Sequence, residues 1–496
     1  MEIDERNIAG TRYSLIGRAT SAAILFILSI IVARYLGPER YGELSLALTA
    51  IVFISVIIDA GLNRSTQKHI SQYLIEDIAS VRVAYKKILT IKAVSVIAAS
   101  IALYIASPIF AEIFDIAMLE KLMKVGAVLL AATVIIEYHT TVLQGYEHFK
   151  HICLTNIFEA ALKLSATALI TYMGMGVMEI MLGYASSTLI IAAILTIIVS
   201  LYIVKPNIKV SSDKDLVREI INYSPPLFLS TLFFIFYTKF DILAIGYFGK
   251  AVEVGYYTLA IGLIDNLLIP IVAIEAAVMP IAASLYGKKR SAANLNRLFN
   301  QTINHGFFFM VPIISGLLVV SHVFVEEIYG LQFIDTALIL VALSPFLFTK
   351  TIAVLNGAYL IAANEAKRFM KYTFGAVVLN TILLIILIPP FGVYGAVAAK
   401  ITSHTILTAS MLAYIIPRFE INIDKRLMFK NIKIVFSSIS MAAICYILLA
   451  STGGLFGLIA TIVSGVIIYI LLLHISKTVS IPEMLKIAKG DLKLNP

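Results

Sequence analysis

The sequence predicts an all-α polytopic membrane protein with about 14 transmembrane helices, arranged as two parallel six-helix lobes plus two extra C-terminal helices. The first observation is composition: 60% of the 496 residues are apolar and 14% are charged, whereas soluble domains carry about 25% charged residues. The second is that apolar segments long enough to cross a bilayer recur along the whole chain. The third is a motif that occurs near the start and again near the middle.

Taken in order, the apolar segments have the length that a membrane-spanning helix needs. The predicted spans are 12–35, 42–64, 85–107, 122–144, 151–173, 178–203, 219–247, 254–285, 299–325, 335–361, 369–389, 392–416, 430–450 and 454–474. The chain begins MEIDERNIAG, which is not the basic start of a signal peptide, so we expect the first span to be an uncleaved helix. The loops between the spans are short, and we expect no soluble domain among them.

The basic residues predict the orientation, because Lys and Arg concentrate in the cytoplasmic loops of membrane proteins. If the N-terminus lies in the cytoplasm, the outside turns hold few of the 39 basic residues, namely Arg34, Arg40, Lys121, Lys124 and Lys250. We therefore expect a plasma-membrane protein with both termini in the cytoplasm. The net charge of +9 is then a basic face against anionic lipid, which argues against nucleic-acid binding.

The repeated motif relates the two halves of the chain. The stretch ARYLGPERYG resembles IGYFGKAVEVG, so that Gly37 corresponds to Gly249 and Gly42 to Gly255. Six spans separate the two copies, so both begin on the same side and the repeats are predicted to be parallel. The predicted domains are an N-lobe at 1–204 (helices 1–6), an inside linker at 205–218, a C-lobe at 219–417 (helices 7–12), helices 13–14 at 430–475 and a basic cytoplasmic tail at 476–496.

Ionisable residues inside apolar spans are costly to insert, so they usually face a cavity or one another. Four cations are candidates to hold a phosphate by charge-assisted hydrogen bonds, with snorkelling or pairing as the alternative: Arg18, Lys239, Lys350 and Lys400. Four further residues are candidates to line a cavity or couple an ion: Asp241, Asp265, Asn266 and Glu275. Glu159 and Lys163 are four residues apart on one predicted helix, a spacing that predicts a structural ion pair.

Prolines are concentrated in predicted helices 7–10, where they favour kinks. They are Pro225, Pro226, Pro270, Pro280, Pro312 and Pro345. Signals for catalysis are weak, since the sequence has no P-loop, H-E-x-x-H or G-x-S-x-G motif. The D-x-D of Asp213 and Asp215 falls in a charged loop and is interpreted as solvated. Cys153 and Cys445 are isolated from each other, which argues against a disulfide or zinc site. We expect no enzyme activity, no cofactor and no metal.

Five stretches, taken together and in order, resemble a known family: 33–42, 59–62, 241–249, 254–257 and 391–396. They are similar to the oligosaccharidyl-lipid flippases (O-antigen and polysaccharide exporters) of the multidrug/oligosaccharidyl-lipid/polysaccharide exporter superfamily. The resemblance implies two six-helix lobes around a V-shaped cavity that opens to each side in turn. It also implies flipping of a polyprenyl-(pyro)phosphate-linked oligosaccharide to the outer leaflet, for surface polysaccharide or glycoprotein glycan synthesis. Cavity cations would contact the phosphate.

Two alternatives remain at this point. A multidrug antiporter of the same superfamily would use buried carboxylates such as Asp265 and Glu275 to couple H⁺ or Na⁺. A membrane-embedded glycan polymerase or sugar transferase usually carries a long outer loop or an acidic catalytic pair. Here the outer turns are short, although Glu326, Glu327 and Asp335 form a small acidic cluster. The expected partners are the lipid-linked oligosaccharide, membrane lipids and a coupling cation, and we expect a monomer.

Overall fold

The structure is a computed structural model that describes residues 2–203, 215–287, 292–422 and 424–478. All regular secondary structure in these residues is helical, as predicted. The α-helices are α1 (Glu2–Asp59), α2 (Leu62–Glu76), α3 (Ile78–Phe114), α4 (Ala117–Gly145), α5 (Phe149–Tyr172), α6 (Val177–Ile197), α7 (Asp215–Phe248), α8 (Ala251–Leu267), α9 (Ile269–Gly287), α10 (Ala292–Tyr329), α11 (Ile334–Ala342), α12 (Ser344–Ala362), α13 (Ala366–Phe391), α14 (Val393–Arg418), α15 (Lys425–Thr452) and α16 (Gly454–Ile475).

Two predicted segments lie largely outside the described residues. The linker is described only from Asp215, where α7 begins, so that Asp213 of the D-x-D lies outside. The predicted tail is described only as far as Thr478.

Among the described helices, 11 are long and apolar enough to cross a membrane. One of these segments, Ile16–Asp59, is 44 residues long and covers most of the two predicted spans 12–35 and 42–64. They are separated at Gly37, whose backbone is non-helical with φ 72°, directly before Pro38. Glycine tolerates this left-handed φ, and proline is favoured at the start of a helix. The count of 11 includes this long segment only once, so it does not fix the number of spans. The 14 spans stay a prediction.

Two predicted spans are each divided into two helices by a proline. The predicted span 254–285 breaks at Leu268, two residues before Pro270, and the span 335–361 breaks at Leu343, two residues before Pro345. Proline lacks an N–H and its ring clashes with the carbonyl four residues back. At the second break, the carbonyl of Val341 that proline leaves free accepts a hydrogen bond from Ser344 Oγ at 2.8 Å.

The helix α2 lies in what the sequence predicts as an inside loop. It begins after Gly61, whose φ is 78°, and it buries Ile70 in an apolar cluster with Val142 and Leu143 of α4. The next helix, α3, is capped by Asp77, whose Oδ1 accepts backbone hydrogen bonds from its first turn at 3.1 Å. Hydrogen bonding by Ser80 lowers the pKa of Asp77 below its ordinary value.

The chain forms two compact units, residues 1–255 and 256–496. In the first unit, α7 packs against α1, α2 and α3. In the second unit, α12 packs against α9 and α14, and α10 packs against α15. In this division α7 groups with the helices that precede it, and the lobes at 1–204 and 219–417 stay a prediction.

The repeated glycines meet within the first unit. A Cβ atom placed on Gly42 would overlap the carbonyl oxygen of Ala251, and one placed on Gly255 would overlap the carbonyl oxygen of Pro38. Pro38 and Gly42 hold the positions in the first copy of the motif that Ala251 and Gly255 hold in the second. The contact is therefore reciprocal, and it explains why both copies need a residue without a side chain at this close backbone approach.

Candidate functional site

A compact group of charged and aromatic side chains lies in the second unit. The Lys350 Nζ is 2.8 Å from Asp265 Oδ1. It also lies 5.3 Å from the centroid of the Phe346 ring, and the Lys400 Nζ lies 5.5 Å from the same ring. The His404 ring contacts Phe346 edge-on, with centroids 4.5 Å apart. We call these five residues the Lys350 cluster.

Helix geometry explains how the cluster assembles. Phe346 and Lys350 are four residues apart on α12, and Lys400 and His404 are four residues apart on α14, so each pair lies on one helix face. Because α12 packs against α14, the two faces meet around the Phe346 ring. Asp265 lies in the last turn of α8, just before the proline break. Broken helices of this kind commonly form the binding sites of transporters.

Exposure divides the cluster into an accessible part and a buried part. The side chain of Asp265 is 48% exposed and that of Lys350 is 24% exposed, whereas Lys400 and His404 are each 4% exposed. An arriving anion can therefore reach Lys350, while Lys400 and His404 support the aromatic ring from the protein interior. The arrangement can hold an anionic oxygen on an ammonium group at a helix break.

The other predicted site residues lie outside the Lys350 cluster. Arg18 is exposed on α1, and Lys239 is half-buried on α7, two residues before the buried Asp241. All three belong to the first unit and not to the Lys350 cluster. Asn266 is exposed beside Asp265 at the end of α8, and Glu275 is half-buried on α9.

The predicted structural pair occurs within α5. The Lys163 Nζ lies 2.7 Å from Glu159 Oε1. The Thr188 hydroxyl of α6 also donates to Glu159 Oε1, at 3.3 Å. The carboxylate thus has two donors within the first unit, which supports a role in helix packing.

A second ion pair, which the sequence did not predict, is more deeply buried. The Lys92 Nζ lies 2.6 Å from Asp59 Oδ1, and the Lys92 side chain is 0% exposed. The same carboxylate oxygen accepts a hydrogen bond from the Asn63 N–H at 3.1 Å. Asp59 therefore joins the end of α1 and the start of α2 to the middle of α3. A lysine within the apolar run of α3 was the available signal, but its partner is 33 residues away.

We expect Asp59→Ala to be strongly destabilising, because it leaves the Lys92 ammonium buried without its carboxylate. Removal of one partner of a buried pair costs about 3–5 kcal/mol. The measurement is thermal unfolding of the detergent-purified protein. The double variant Asp59→Ala/Lys92→Met should recover much of the lost stability, and Glu120→Ala, which breaks the more exposed pair with Lys124, should cost about 1 kcal/mol or less. Wild-type stability of Asp59→Ala would contradict the buried-pair interpretation.

The described residues contain no group of three or more His, Cys, Asp or Glu side chains that could hold a metal ion. Cys153 and Cys445 are both buried free thiols. Within the described part of the chain, the Lys350 cluster is the candidate site, because its partly exposed charged side chains lie close to breaks between helices.

Solved structures define the class of fold. "Lipid II flippase MurJ, inward closed conformation" aligns with a TM-score of 0.71 and 16% identity, covering 94% of this chain and 98% of that one. An inward-facing "multidrug resistance MATE family transporter of the MOP superfamily" aligns with a TM-score of 0.67 and 17% identity, covering 82% of this chain and 98% of that one. At these identities the likeness shows the fold alone, which is that of the transporters of this superfamily.

Comparison of the amino-acid sequence with known families and proteins shows the family of this chain. The family described as "Polysaccharide biosynthesis protein" matches residues 31–338, and the chain belongs to this family. It is 25% identical over 292 residues to the "Probable low-salt glycan biosynthesis flippase Agl15" of Haloferax volcanii, covering 58% of this chain and 59% of that protein. It is 23% identical over 286 residues to the "Teichuronic acid biosynthesis protein TuaB" of Bacillus subtilis, covering 56% of each.

These findings confirm the family resemblance that the sequence predicts. The matches span less than two thirds of the length of these two relatives, namely 59% and 56%.

Proposed function

We propose that this protein flips a polyprenyl-(pyro)phosphate-linked oligosaccharide from the inner to the outer leaflet of the plasma membrane, for surface polysaccharide or glycoprotein glycan synthesis. The observation that carries this proposal is the Lys350–Asp265 pair, a partly exposed charge pair at a helix break in a chain of the polysaccharide biosynthesis protein family. The name of the Haloferax volcanii relative, a glycan biosynthesis flippase, points the same way.

The chemistry of the substrate fits such a site. A glycan head and its phosphates cannot cross about 30 Å of hydrocarbon unaided, because every polar group would lose its hydrogen bonds. An ammonium group inside a hydrated cavity replaces part of that lost hydration through charge-assisted hydrogen bonds to phosphate oxygens. In our proposal Lys350 makes this contact, Lys400 adds positive charge beside the same Phe346 ring, and the lipid tail remains in the bilayer. Arg18 and Lys239 are the further cations proposed for the path of the head group.

The transport cycle in this proposal is alternating access, with lobes at 1–204 and 219–417, 14 spans and both termini in the cytoplasm. The protein acts as a monomer and as a transporter without catalytic activity. The polar candidates Asp241 and Glu275 are proposed to line the path or to couple H⁺ or Na⁺. The alternative is a cation-coupled multidrug antiporter, for which the half-exposed carboxylate of Asp265 would serve as the cation site.

A strain that lacks the gene tests the proposal. We expect lipid-linked oligosaccharide to accumulate on the cytoplasmic leaflet, because the step that exposes it to later enzymes is missing. Mass spectrometry of extracted lipids identifies the substrate, and the intact gene should reverse the accumulation. Unchanged lipid-linked oligosaccharide together with a gain of sensitivity to cationic drugs would favour the antiporter instead.

A further inference from the structure

The ammonium group of Lys350 is engaged by a carboxylate of the chain itself. The pair joins α12 to the last turn of α8 across 85 residues of sequence. At 2.8 Å, the contact has the length of a charge-assisted hydrogen bond. Any anion that binds Lys350 directly must therefore share this ammonium with Asp265 or displace it.

Asp265 has the freedom to move away. Its side chain is 48% exposed, and Leu268, three residues later, separates α8 from α9. Because the carboxylate is more exposed than the ammonium group, an arriving anion can replace the carboxylate while Lys350 keeps an anionic partner. Exchange of one anion for another avoids the cost of leaving the less exposed ammonium group unpaired.

A pyrophosphate ligand is chemically suited to displace a carboxylate. Both present anionic oxygens to the same N–H donors, but a pyrophosphate that joins a lipid to a glycan carries about two negative charges at neutral pH, one on each phosphate, where a carboxylate carries one. The buried Lys400, whose Nζ lies 5.5 Å from the centroid of the same Phe346 ring, keeps positive charge near the vacated position. A neutral sugar or a single carboxylate gains no such advantage over Asp265.

We propose that Asp265 is an exchangeable counter-ion, which occupies Lys350 until the pyrophosphate of a lipid-linked substrate displaces it. Asp265 thereby sets specificity: it excludes neutral and singly charged head groups from Lys350 and yields to a pyrophosphate-linked one. This inference rests on the proposed function, since it concerns the same cation and the same class of substrate.

Equilibrium binding of farnesyl pyrophosphate to the detergent-purified full-length protein tests the inference. We expect Asp265→Asn, which keeps the shape of the side chain but removes its charge, to tighten binding about threefold, as expected when a weak competing ion pair is lost. The gain should shrink as ionic strength rises.

Lys350→Ala should weaken binding about tenfold or more, and the double variant should bind like Lys350→Ala. Glu120→Gln, which neutralises the acid of another partly exposed pair, should bind like the unaltered protein.

The possible outcomes distinguish a failure of the counter-ion inference from a failure of the proposed phosphate contact of Lys350. If Lys350→Ala weakens binding but Asp265→Asn leaves it unchanged or weaker, the counter-ion inference fails while the phosphate contact of Lys350 stands. If Lys350→Ala binds as well as the unaltered protein, the proposed contact itself fails. Absence of measurable binding to the unaltered protein would contradict both.

Discussion

Lys350→Ala is expected to abolish export of the lipid-linked oligosaccharide while leaving insertion into the membrane intact. The substitution removes the accessible ammonium of the cluster, and the loss of hydrogen bonds to a charged group costs about 1.5–3 kcal/mol, which corresponds to roughly a tenfold or greater loss of substrate affinity. Export is measured by the appearance of the glycan at the cell surface in a strain that carries only the variant.

The matched control for this variant is Lys163→Ala. Lys163 is also a lysine within an apolar helix, and its side chain is 20% exposed and paired with a carboxylate, but it lies outside the Lys350 cluster. We expect the Lys163→Ala variant to export the lipid-linked oligosaccharide about as well as the unaltered protein does. Export that survives Lys350→Ala, with normal amounts of protein in the membrane, would rule out the proposed role of this residue.

Substitution of Gly42 or Gly255 by alanine is the second change expected to have a large effect, on both the stability of the protein and export. Each added methyl group would overlap a backbone carbonyl oxygen of the facing turn, and a backbone cannot rotate away as a side chain can. Overpacking of this kind costs about 1–3 kcal/mol or more. We expect a lower midpoint of thermal unfolding and reduced export for both variants, and similar losses for the two because the contact is reciprocal.

Gly262 supplies the control for the glycine contact. It lies on the same helix as Gly255, and a Cβ placed there would meet no atom within 4 Å. Gly262→Ala should therefore be neutral or slightly stabilising, since alanine favours a helix by up to about 1 kcal/mol over glycine. If Gly255→Ala unfolds at the same temperature as Gly262→Ala, the close approach between the two copies of the motif is not as the structure describes.

Local patterns in the sequence predicted the helical architecture well. Apolar runs identify membrane helices because the bilayer sets their length. The i,i+4 spacing identifies Glu159 and Lys163 because one helix fixes the distance between them. The repeated glycines were visible in the sequence, but their mutual contact was not, since a repeat shows that two turns are alike and does not show that they touch.

Features that depend on packing between distant helices could not be predicted. Asp265 and Lys350 were each identified as candidates, yet their pairing depends on how α8 and α12 are arranged. The pair of Asp59 and Lys92 was missed for the same reason. The helix α2 was missed because its polar composition resembles that of a loop and its short apolar side becomes recognisable only when Ile70 is seen packed against α4.

The most direct test of the central claim is transport by the purified protein in proteoliposomes. A polyprenyl-pyrophosphate-linked oligosaccharide is placed in one leaflet, and its accessibility to a membrane-impermeant lectin is followed over time. We predict that vesicles with the unaltered protein move the lipid between leaflets much faster than protein-free vesicles, and that vesicles with Lys350→Ala do not. Equal rates with and without the unaltered protein, in vesicles that instead exchange a cationic drug for protons, would contradict the account and indicate an antiporter.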